Sequence, residues 1–374
     1  LSAWSQNASG ASPMKHSLSY VAFATLFASA PITALAQEAD KTGEIIVTAS
    51  RIGLEPREIG SAFSVVDQAE IQTKQILFAK DVLEDVPGVQ ITSDRPGDFT
   101  SVSIRGSSND QVLFLVDGMK LGDPSTISTQ FQADHLTSLD IAKIEVLRGN
   151  QSSLYGSDAI GGVVNIITQR ATEAGFKVNA EAEGGSYGTY SGGVSVFGKN
   201  GPLDFRLSAT GFSADGPSVA DPKTGPATED DSYARWSLSG RAGYKLTETL
   251  ELQAMGFYDD ADTDLDGTNA DSDDTVRTKE GALGLKLVHK SMDGVWGNTL
   301  SMSRYDVERR YFGVWNLPDG DNYEGTRDNF GYTLNVNPTR RLGLAAGVSY
   351  EEESTDQLTS FSGRFDAGID TKSV

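Results

Sequence analysis

The sequence predicts an α+β domain followed by an antiparallel sheet that crosses a membrane as an incomplete β-barrel. From Gly175 onward, apolar and polar residues alternate in segments of roughly ten residues, which is the pattern of barrel strands. The connections between these segments alternate between short and long. Residues 51–170 instead contain short helical and strand patterns separated by glycine. These observations predict two parts, with the α+β domain first.

The composition limits the kinds of site that the chain can hold. Among its 374 residues, 52 are Asp or Glu and 31 are Lys or Arg, which gives a net charge of −21. This charge argues against a nucleic-acid partner, because phosphate binding requires a basic surface. Cysteine is absent, so neither disulfides nor thiolate metal sites are possible. His16, His135 and His289 are far apart in sequence and do not suggest a metal site.

The N-terminal residues predict secretion. Residues 14–36 begin with a short basic region, continue with an apolar run and end in the sequence ALA, so we interpret them as a signal peptide. Residues 1–13 are interpreted as upstream residues that are not native to the protein. No other apolar run approaches the ~18 residues of a membrane-spanning helix, so the chain is expected to cross the membrane as a barrel.

Residues 37–50 are predicted to form a tether that carries the β-prone segment EIIVTAS. The residues expected to bind a partner are Glu44, Ile45, Ile46, Val47, Thr48 and Ala49. An extended segment of this kind suits β-augmentation, in which the edge of a partner's sheet pairs with it through main-chain hydrogen bonds. The alternative is an edge strand that packs on the following domain.

Residues 51–170 are predicted to form the α+β domain. The segment KDVLEDVPGV predicts a short helix that its Pro-Gly pair ends. The segment QVLFLVDGMKL predicts a hairpin around Asp117 and Gly118, since Asp-Gly is favoured in two-residue turns. Further strands are predicted in IAKIEVLRG and at the apolar end of SLYGSDAIGGVVNIITQR. Taken alone, this pattern also fits a small domain with a substrate site.

Residues 171–374 are predicted to form about ten barrel strands, at roughly 20 residues for each strand and its connection. In residues 203–211 the odd-numbered side chains are apolar or small and the even-numbered ones are polar. Aromatic residues lie near the segment ends, as in the interface girdles of membrane barrels. They are Trp236, Tyr244, Phe257, Tyr258, Tyr305, Tyr311 and Tyr350.

The predicted connections of this part differ in length in a regular way. Short turns are predicted at residues 199–202, 246–249, 290–294 and 337–340. Long polar loops are predicted between them, at residues 214–231, 259–276 and 307–324. Short turns at one end and long loops at the other are typical of outer-membrane barrels. A soluble β-sandwich is the alternative for an alternating sheet, but it has no reason to sort its loops.

Six motifs in a fixed order give the chain a resemblance to a known family. They are EIIVTAS, VLEDVPGVQI, SVSIRGS, VLFLVDGMKL, IEVLRG and SLYGSDAIGGVVNIITQ. Together they resemble the TonB box and plug domain of the TonB-dependent outer-membrane receptors. The resemblance implies a plug inside a barrel of about 22 strands, of which about ten are present, so the chain is interpreted as an N-terminal fragment. It also implies a monomeric, non-enzymatic receptor in outer-membrane lipid, with a TonB-type energy-transducing partner.

Two arginines of the plug motifs are candidate anchoring residues. Arg105 in IRG and Arg148 in LRG are expected to bind carboxylates on the barrel wall, because arginine and carboxylate form strong bidentate pairs. The alternative is that both arginines are solvated on the surface.

Acidic residues of two predicted loops are candidate calcium ligands. In DDADTDLDGTNADSDD, the spacing of Asp262, Asp264, Asp266 and Asp273 matches a calcium loop, although the twelfth position is Asp rather than Glu. The resemblance to the cobalamin receptors of the family implies a second set of ligands, which is Asp215, Glu229, Asp231, Tyr258, Asp259 and Asp274. The alternative is a solvated acidic loop.

The sequence therefore predicts TonB-dependent import of a large scarce nutrient across the outer membrane, with cobalamin or another corrinoid as the ligand. A ferric-siderophore or haem receptor is the alternative within the family. A passive porin is the alternative from another class, but a porin needs neither a plug nor a TonB box. An enzyme is the least supported class, because no pair of nucleophile and base stands out.

Overall fold

The structure is a computed structural model that describes residues 61–92, 100–126, 131, 136–217, 230–267, 270–313, 317–339 and 342–373. The predicted signal peptide, the TonB box at Glu44–Ala49 and the candidate ligand Glu229 lie outside the described residues. In the described part of the chain, none of the helices has the length and hydrophobicity needed to cross a membrane.

The plug region contains short strands and helices arranged around one main sheet. Its elements are β1 (Ala62–Asp67), α1 (Gln68–Lys74), α2 (Ala79–Glu84), β2 (Val89–Thr92), β3 (Ser101–Ile104), β4 (Val112–Val116), β5 (Met119–Leu121), β6 (Ile141–Arg148), α3 (Ser152–Tyr155) and β7 (Gly162–Thr168). The main sheet has the order β1-β6-β7-β4-β5. Within it, β4 and β7 are parallel and the other pairs are antiparallel. A separate antiparallel pair consists of β2 and β3.

The core of the plug forms around β4. Its sequence VLFLV is buried along its whole length, which is the pattern of a strand covered on both faces. Leu83 of α2, Ile104 of β3, Ile144 of β6 and Val164 of β7 pack in the same core and are at most 1% exposed. Full burial of a side chain of this size contributes about 1.5–3 kcal/mol to folding.

The hairpin predicted around Asp117 and Gly118 is confirmed. Val116 of β4 lies opposite Met119 of β5, so the turn consists of Asp117 and Gly118 alone. Their φ angles are 49° and 77°, the left-handed conformations that a type I′ turn requires. The short helix predicted before the Pro-Gly pair is α2, which ends at Glu84.

Residues from Gly175 onward form an antiparallel sheet of ten strands, called the wall below. Its strands are β8 (Gly175–Gly184), β9 (Tyr190–Asn200), β10 (Leu203–Ala214), β11 (Tyr233–Lys245), β12 (Leu250–Gly267), β13 (Ala270–Lys290), β14 (Trp296–Phe312), β15 (Asp321–Thr339), β16 (Leu342–Thr359) and β17 (Gly363–Ser373). Each strand pairs with its neighbours in sequence, so β8 and β17 are the edge strands. The predicted number of strands is confirmed in the described residues.

The wall buries charged side chains on its inner face and exposes apolar side chains on its outer face. In β10, Arg206 is 1% exposed and points toward the plug, whereas the next residue, Leu207, is 59% exposed on the other face. Arg235 and Trp236 repeat this contrast in β11. A soluble sheet buries its apolar face. The opposite arrangement seen here is that of a membrane barrel rather than a β-sandwich.

The prediction of a long loop at residues 259–276 is wrong. β12 and β13 continue through this region as a paired hairpin, with only residues 268 and 269 between them. Ion pairs explain how such an acidic segment remains extended, because they neutralise part of its charge within the sheet. One of these pairs joins Arg277 Nη2 to Asp260 Oδ2 at 2.9 Å.

The other predicted connections agree better with the structure. Short turns occur at residues 201–202, 246–249 and 291–295, and β15 ends two residues before β16 begins. At the opposite end of the strands, the connection predicted at 214–231 lies at 215–232, and the one predicted at 307–324 is shorter and lies at 313–320.

Aromatic side chains occur on both faces of the wall. Trp236, Tyr244 and Tyr258 are exposed on the outer face, in agreement with an interface girdle. Phe257 and Tyr305 are buried and face the plug, so their assignment to the girdle is wrong. They belong to the same apolar core as the plug strands, and the plug and the wall therefore share one core.

Candidate functional site

The candidate functional site is the set of polar contacts that seat the plug against the wall, and Asp117 is at its centre. The Asp117 carboxylate accepts hydrogen bonds from Thr168 N at 3.1 Å and from Arg241 Nη1 at 2.9 Å. The main-chain oxygen of Asp117 accepts a hydrogen bond from Lys286 Nζ. One turn residue of the plug is thus joined to β7 and to wall strands β11 and β13.

Asp140 is a second plug carboxylate that binds the same region of the wall. It forms an ion pair with Arg206 and accepts a hydrogen bond from Ser239 Oγ. Arg206 and Arg241 lie directly opposite each other on β10 and β11. Like charges in this position repel. The plug offsets the repulsion because Asp140 pairs with Arg206 and Asp117 pairs with Arg241.

Arg309 fixes the segment that follows β5. Its Nε lies 2.6 Å from Asp123 Oδ2, and its Nη2 donates to Ser125 Oγ at 3.0 Å. The guanidinium is buried and lies 5.3 Å from the centre of the Tyr323 ring, within the range of a cation–π contact. Residues 122–126 are therefore held by β14 and β15 together.

Lys120 and Arg327 complete the attachment near β5. Lys120 Nζ lies 2.5 Å from Glu351 of the wall and 2.6 Å from Asp158 of the plug. Arg327 Nη1 donates to Gly122 O at 2.8 Å. Burial raises the pKa of Asp158, but the attraction and hydrogen bond of Lys120 outweigh burial and hold this pKa below its ordinary value. Asp158 is thus charged and bound to Lys120 at neutral pH.

Arg170 fixes the passage of the chain from the plug to the wall. It lies between β7 and β8 and binds Asp204 of β10 in a bidentate manner, with both distances at 2.7 Å. It also pairs with Glu251 of β12. The hydrogen bond with Asp204 raises the pKa of Arg170, so the guanidinium stays charged at any physiological pH.

These contacts attach the plug to the wall at several places. Removal of one partner from a buried ion pair typically costs about 3–5 kcal/mol. Several such pairs act on one small domain, in addition to the shared apolar core. The arrangement can seal a channel and release it when force or binding breaks the pairs.

In the described residues, Arg148 binds main-chain oxygens of the plug rather than a carboxylate of the wall. Its Nη2 donates to Phe63 O at 2.9 Å and its Nη1 donates to Pro87 O, and both acceptors belong to the plug. Main-chain oxygens therefore take the place of the expected wall carboxylate. Arg105 is exposed with φ of 54° and lies near Arg148. The anchoring role of Arg105 stays a prediction.

The candidate calcium ligands Tyr258 and Asp259 point to opposite faces of β12, as neighbours on a strand must. Tyr258 packs against Trp236 on the outer face, with ring centres 5.3 Å apart. Asp259 pairs with Arg235 on the inner face at 2.8 Å. One ion cannot contact both side chains.

The predicted calcium loop is likewise part of a strand. Asp262, Asp264 and Asp266 alternate along β12, and residues two apart on a strand are separated by about 6.5–7 Å. Calcium ligands lie ~2.3–2.6 Å from the ion. Asp264 instead accepts a hydrogen bond from Ser232 N at 3.1 Å.

The remaining described candidates lie at element ends and on the next strand. They are Asp215 and Asp231 at the two ends of the connection 215–232, and Asp273 and Asp274 on β13. Within the described ranges, no group of three or more acidic or histidine side chains is placed to hold a metal. The residues do not fit a single calcium site, and calcium binding stays a prediction.

Comparison with known proteins assigns the family. Residues 55–163 match the model of the TonB-dependent receptor plug domain. The chain is 33% identical over 255 residues to the vitamin B12 transporter BtuB of Photobacterium profundum, a match that covers 68% of this chain and 41% of that protein. The chain belongs to the TonB-dependent outer-membrane receptors. Proteins of this family are receptors and transporters rather than enzymes, and the outer membrane is the location of this receptor.

Two further proteins show how far the likeness of this receptor extends. The vitamin B12 transporter BtuB of Vibrio vulnificus (strain YJ016) is 27% identical over 352 residues, which covers 92% of this chain and 55% of that protein. The crystal structure of the siderophore receptor PirA from Acinetobacter baumannii shares the fold, with a TM-score of 0.66 at 18% identity over 83% of this chain and 53% of that chain. The receptor chain spans about half the length of the curated relatives that it matches.

The sequence pattern does not reveal the plug carboxylates that bind the wall of this receptor. The alternation of apolar and polar residues in β10 and β11 predicts that Arg206 and Arg241 share the polar face, and in the structure both arginines face the plug. Asp117 lies 124 residues before its partner Arg241. Nothing in the local sequence connects two residues at that separation. The only available signal is that a polar lumen needs partners for its arginines.

Proposed function

We propose that this receptor imports cobalamin or a related corrinoid across the outer membrane, with energy delivered by a TonB-type partner that binds Glu44–Ala49. The similarity to a vitamin B12 transporter over 255 residues supports the choice of ligand. The seating of the plug supports active rather than passive transport. A lumen closed by buried ion pairs, such as Arg309 with Asp123, does not open without energy.

The contacts that hold the plug against the wall indicate what must change during transport. A ligand bound above the plug is retained because wall strands hold the plug in place. A pull on Glu44–Ala49 is transmitted along the chain toward β1, which begins at Ala62. The ion pairs of the plug must then shift or break before the ligand passes.

Uptake and binding of labelled cyanocobalamin test this proposal. The receptor is expressed in cells that lack their own cobalamin receptor, and we expect saturable binding and uptake. Deletion of residues 44–50 should abolish uptake and leave binding within about twofold, because β-augmentation by the partner needs this segment. Binding without any dependence of uptake on these residues would contradict active import, and absence of binding would contradict the choice of ligand.

A ferric siderophore is the second candidate ligand, because PirA, a siderophore receptor, shares the fold. Growth of the same cells under iron limitation with a set of ferric siderophores separates the two ligands. Addition of a calcium chelator in the binding assay tests the predicted calcium dependence at the same time. We expect cyanocobalamin binding and no rescue of growth by siderophores.

A further inference from the structure

Three polar side chains on neighbouring wall strands form a chain of hydrogen bonds. They are His289 of β13, Asn298 of β14 and Tyr332 of β15, called the polar triad below. Tyr332 Oη donates to Asn298 Oδ1 at 2.7 Å, and Asn298 Nδ2 lies 3.1 Å from His289 Nδ1. The import function proposed above gives these residues no role.

The polar triad lies on the outer, lipid-facing side of the wall. Leu285, Leu300 and Phe330 are exposed on that side, and each lies an even number of residues from the triad member on its own strand. Alternate residues of a strand share a face, so the triad members point the same way. Tyr332 is itself 40% exposed. The triad is thus a polar spot on an otherwise apolar surface.

The position of the polar triad along the strands is near the periplasm. His289 closely precedes the short turn at residues 291–295, and short turns lie at the periplasmic end of barrels of this kind. Asn298 is two residues beyond Trp296, which is exposed on the outer face and about 7 Å away along the strand. A tryptophan at a membrane boundary sits at the level of the headgroups. The triad therefore borders the headgroups of the periplasmic leaflet, which consists of phospholipid.

The hydrogen bonds of the polar triad fix the position of the histidine proton. Because Asn298 Oδ1 accepts from Tyr332, the amide nitrogen of Asn298 faces His289. An amide nitrogen only donates, so Nδ1 of His289 must be the acceptor. A neutral imidazole with an accepting Nδ1 carries its proton on Nε2. Tyr332 thus sets, through Asn298, which nitrogen of His289 is a donor.

This Nε2–H group needs an acceptor from the membrane. His289 Nε2 has no hydrogen-bond partner among the residues that the structure describes. An N–H group without an acceptor in an apolar environment costs free energy, and hydrocarbon supplies no water to offset it. The nearest acceptors at this level are the phosphate oxygens of lipid headgroups. A charged acceptor also forms the stronger hydrogen bond.

We propose that the polar triad binds one phospholipid of the periplasmic leaflet, with His289 Nε2 donating to a phosphate oxygen of the lipid. Leu252 and Leu300 are exposed beside the triad and contact the acyl chains. The bound lipid satisfies the imidazole and fixes the height of β13 to β15 in the membrane. This site is separate from the plug and does not depend on which ligand the receptor transports.

Lipid titration of the intact purified receptor tests this proposal. The receptor in detergent is titrated with dilauroyl phosphatidylethanolamine, and native mass spectrometry measures the bound lipid. Dilauroylglycerol is the control probe, because it has the same acyl chains without the phosphate. We expect the receptor to bind the phospholipid more tightly than dilauroylglycerol. Equal binding of the two lipids would overturn the proposal, since the apolar surface alone would then explain it.

Two substitutions of His289 test the donor. His289→Leu should weaken phospholipid binding about fivefold, the effect of one hydrogen bond, and remove the preference over dilauroylglycerol. Leucine suits a lipid-facing position, so this variant should fold. His289→Gln should restore binding to within about twofold of wild type, because a glutamine amide can accept from Asn298 and donate to the lipid. Unchanged binding by His289→Leu would overturn the proposal.

A matched pair of tyrosine substitutions tests the positioning role of Tyr332. Tyr332→Phe keeps the ring and removes the hydroxyl that orients Asn298, so we expect a smaller preference for the phospholipid over dilauroylglycerol. Tyr244→Phe is the control, since Tyr244 is also exposed on the outer face, next to the short turn at 246–249. It should bind both lipids as the wild type does. The same loss in both variants would overturn the positioning role.

Inorganic phosphate separates a lipid from a free anion. Millimolar phosphate should not displace the phospholipid, because the acyl chains contribute to binding. Displacement would overturn the choice of a lipid as the occupant. Resistance of the plug to proteolysis shows that each variant is folded. If His289→Leu is degraded, the comparison of Tyr332→Phe with Tyr244→Phe decides the proposal.

Discussion

At the scale of single residues, Asp117 combines two roles that are usually separate. Its backbone takes the left-handed conformation of a type I′ turn, with φ of 49°. Its carboxylate binds Thr168 of the plug and Arg241 of the wall. Asn also tolerates the left-handed conformation. A substitution by Asn therefore removes the charge and preserves the turn.

We predict that Asp117→Asn destabilises the receptor by about 3 kcal/mol, because it leaves Arg241 buried without its counter-ion. The measurement is the urea dependence of unfolding in detergent. The matched control is Asp85→Asn, which removes an exposed ion pair with Lys74. An exposed pair contributes at most about 1 kcal/mol. Equal effects of the two variants would show that the Asp117 charge has no special role.

Asp158 gives the plug a dependence on acid pH. Its pKa in the folded receptor lies below the ordinary value near 3.9, since the charge and hydrogen bond of Lys120 outweigh the effect of burial. A depressed pKa stabilises the folded state above the unfolded value, and this stabilisation is lost as the pH falls through the folded value. We therefore predict a decrease in plug stability as the pH falls below about 4.

The rate of proteolysis of the plug measures this dependence, with the wild-type receptor and Asp158→Asn compared at pH 7 and below pH 4. As the pH falls through the folded-state pKa of Asp158, the two should converge, because the protonated carboxyl of the wild-type receptor is then neutral like the amide of the variant. At pH 7 the variant should be cleaved faster. A constant difference over the whole pH range would assign the effect to another group.

At the scale of elements, the β4–β5 hairpin depends on Gly118 for two reasons. Its φ is 77°, which is costly for a residue with a side chain. A Cβ at Gly118 also lies 2.6 Å from Lys286 Nζ, the atom that donates to Asp117 O. The turn and its contact with the wall thus exclude a side chain at the same position.

We predict that Gly118→Ala costs about 2–3 kcal/mol in the same unfolding measurement, from backbone strain and the loss of one hydrogen bond. Gly201→Ala is the control, since Gly201 has a positive φ of 55° and nothing within 4 Å of a built Cβ. Gly201→Ala should lower the free energy of unfolding by the backbone strain alone, about 1–2 kcal/mol. The same cost for both variants would mean that Lys286 moves aside freely.

Local sequence patterns predict which elements this receptor contains. They predict less well how long each element is and which residues it contacts. The alternation in β10 and the Asp-Gly turn are set by neighbouring residues, so the sequence indicates both. The extension of β12 to Gly267 depends on contacts such as that of Arg277 with Asp260, which only the paired strands bring together. The contacts of Arg148 are likewise not predictable from local sequence, because its acceptors Phe63 O and Pro87 O are distant in sequence.

At the scale of the whole molecule, paired charges attach the plug to the wall. Arg206 and Arg241 repel each other across β10 and β11 and are neutralised by two plug carboxylates, Asp140 and Asp117. Loss of both arginines leaves these carboxylates buried without counter-ions, which favours displacement of the plug.

We predict that the double variant Arg206→Met and Arg241→Met makes cells permeable to large antibiotics that the wild-type receptor excludes, with at least a fourfold lower inhibitory concentration. Arg304→Met is the control. Arg304 is also ion-paired, but it lies half exposed on the outer face with Asp306. A similar sensitivity of both strains would indicate a general defect in the membrane rather than an unseated plug.

The alternation of the wall also constrains how the receptor is assembled. A shift of one residue in the pairing of β10 with β11 would turn over the side chains of β10, with Arg206 toward hydrocarbon and Leu207 toward the plug. A charge near the middle of the bilayer costs about 2–4 kcal/mol in a barrel of this type. Lipid thus rejects misaligned hairpins during insertion, so the bilayer itself helps to select the native alignment.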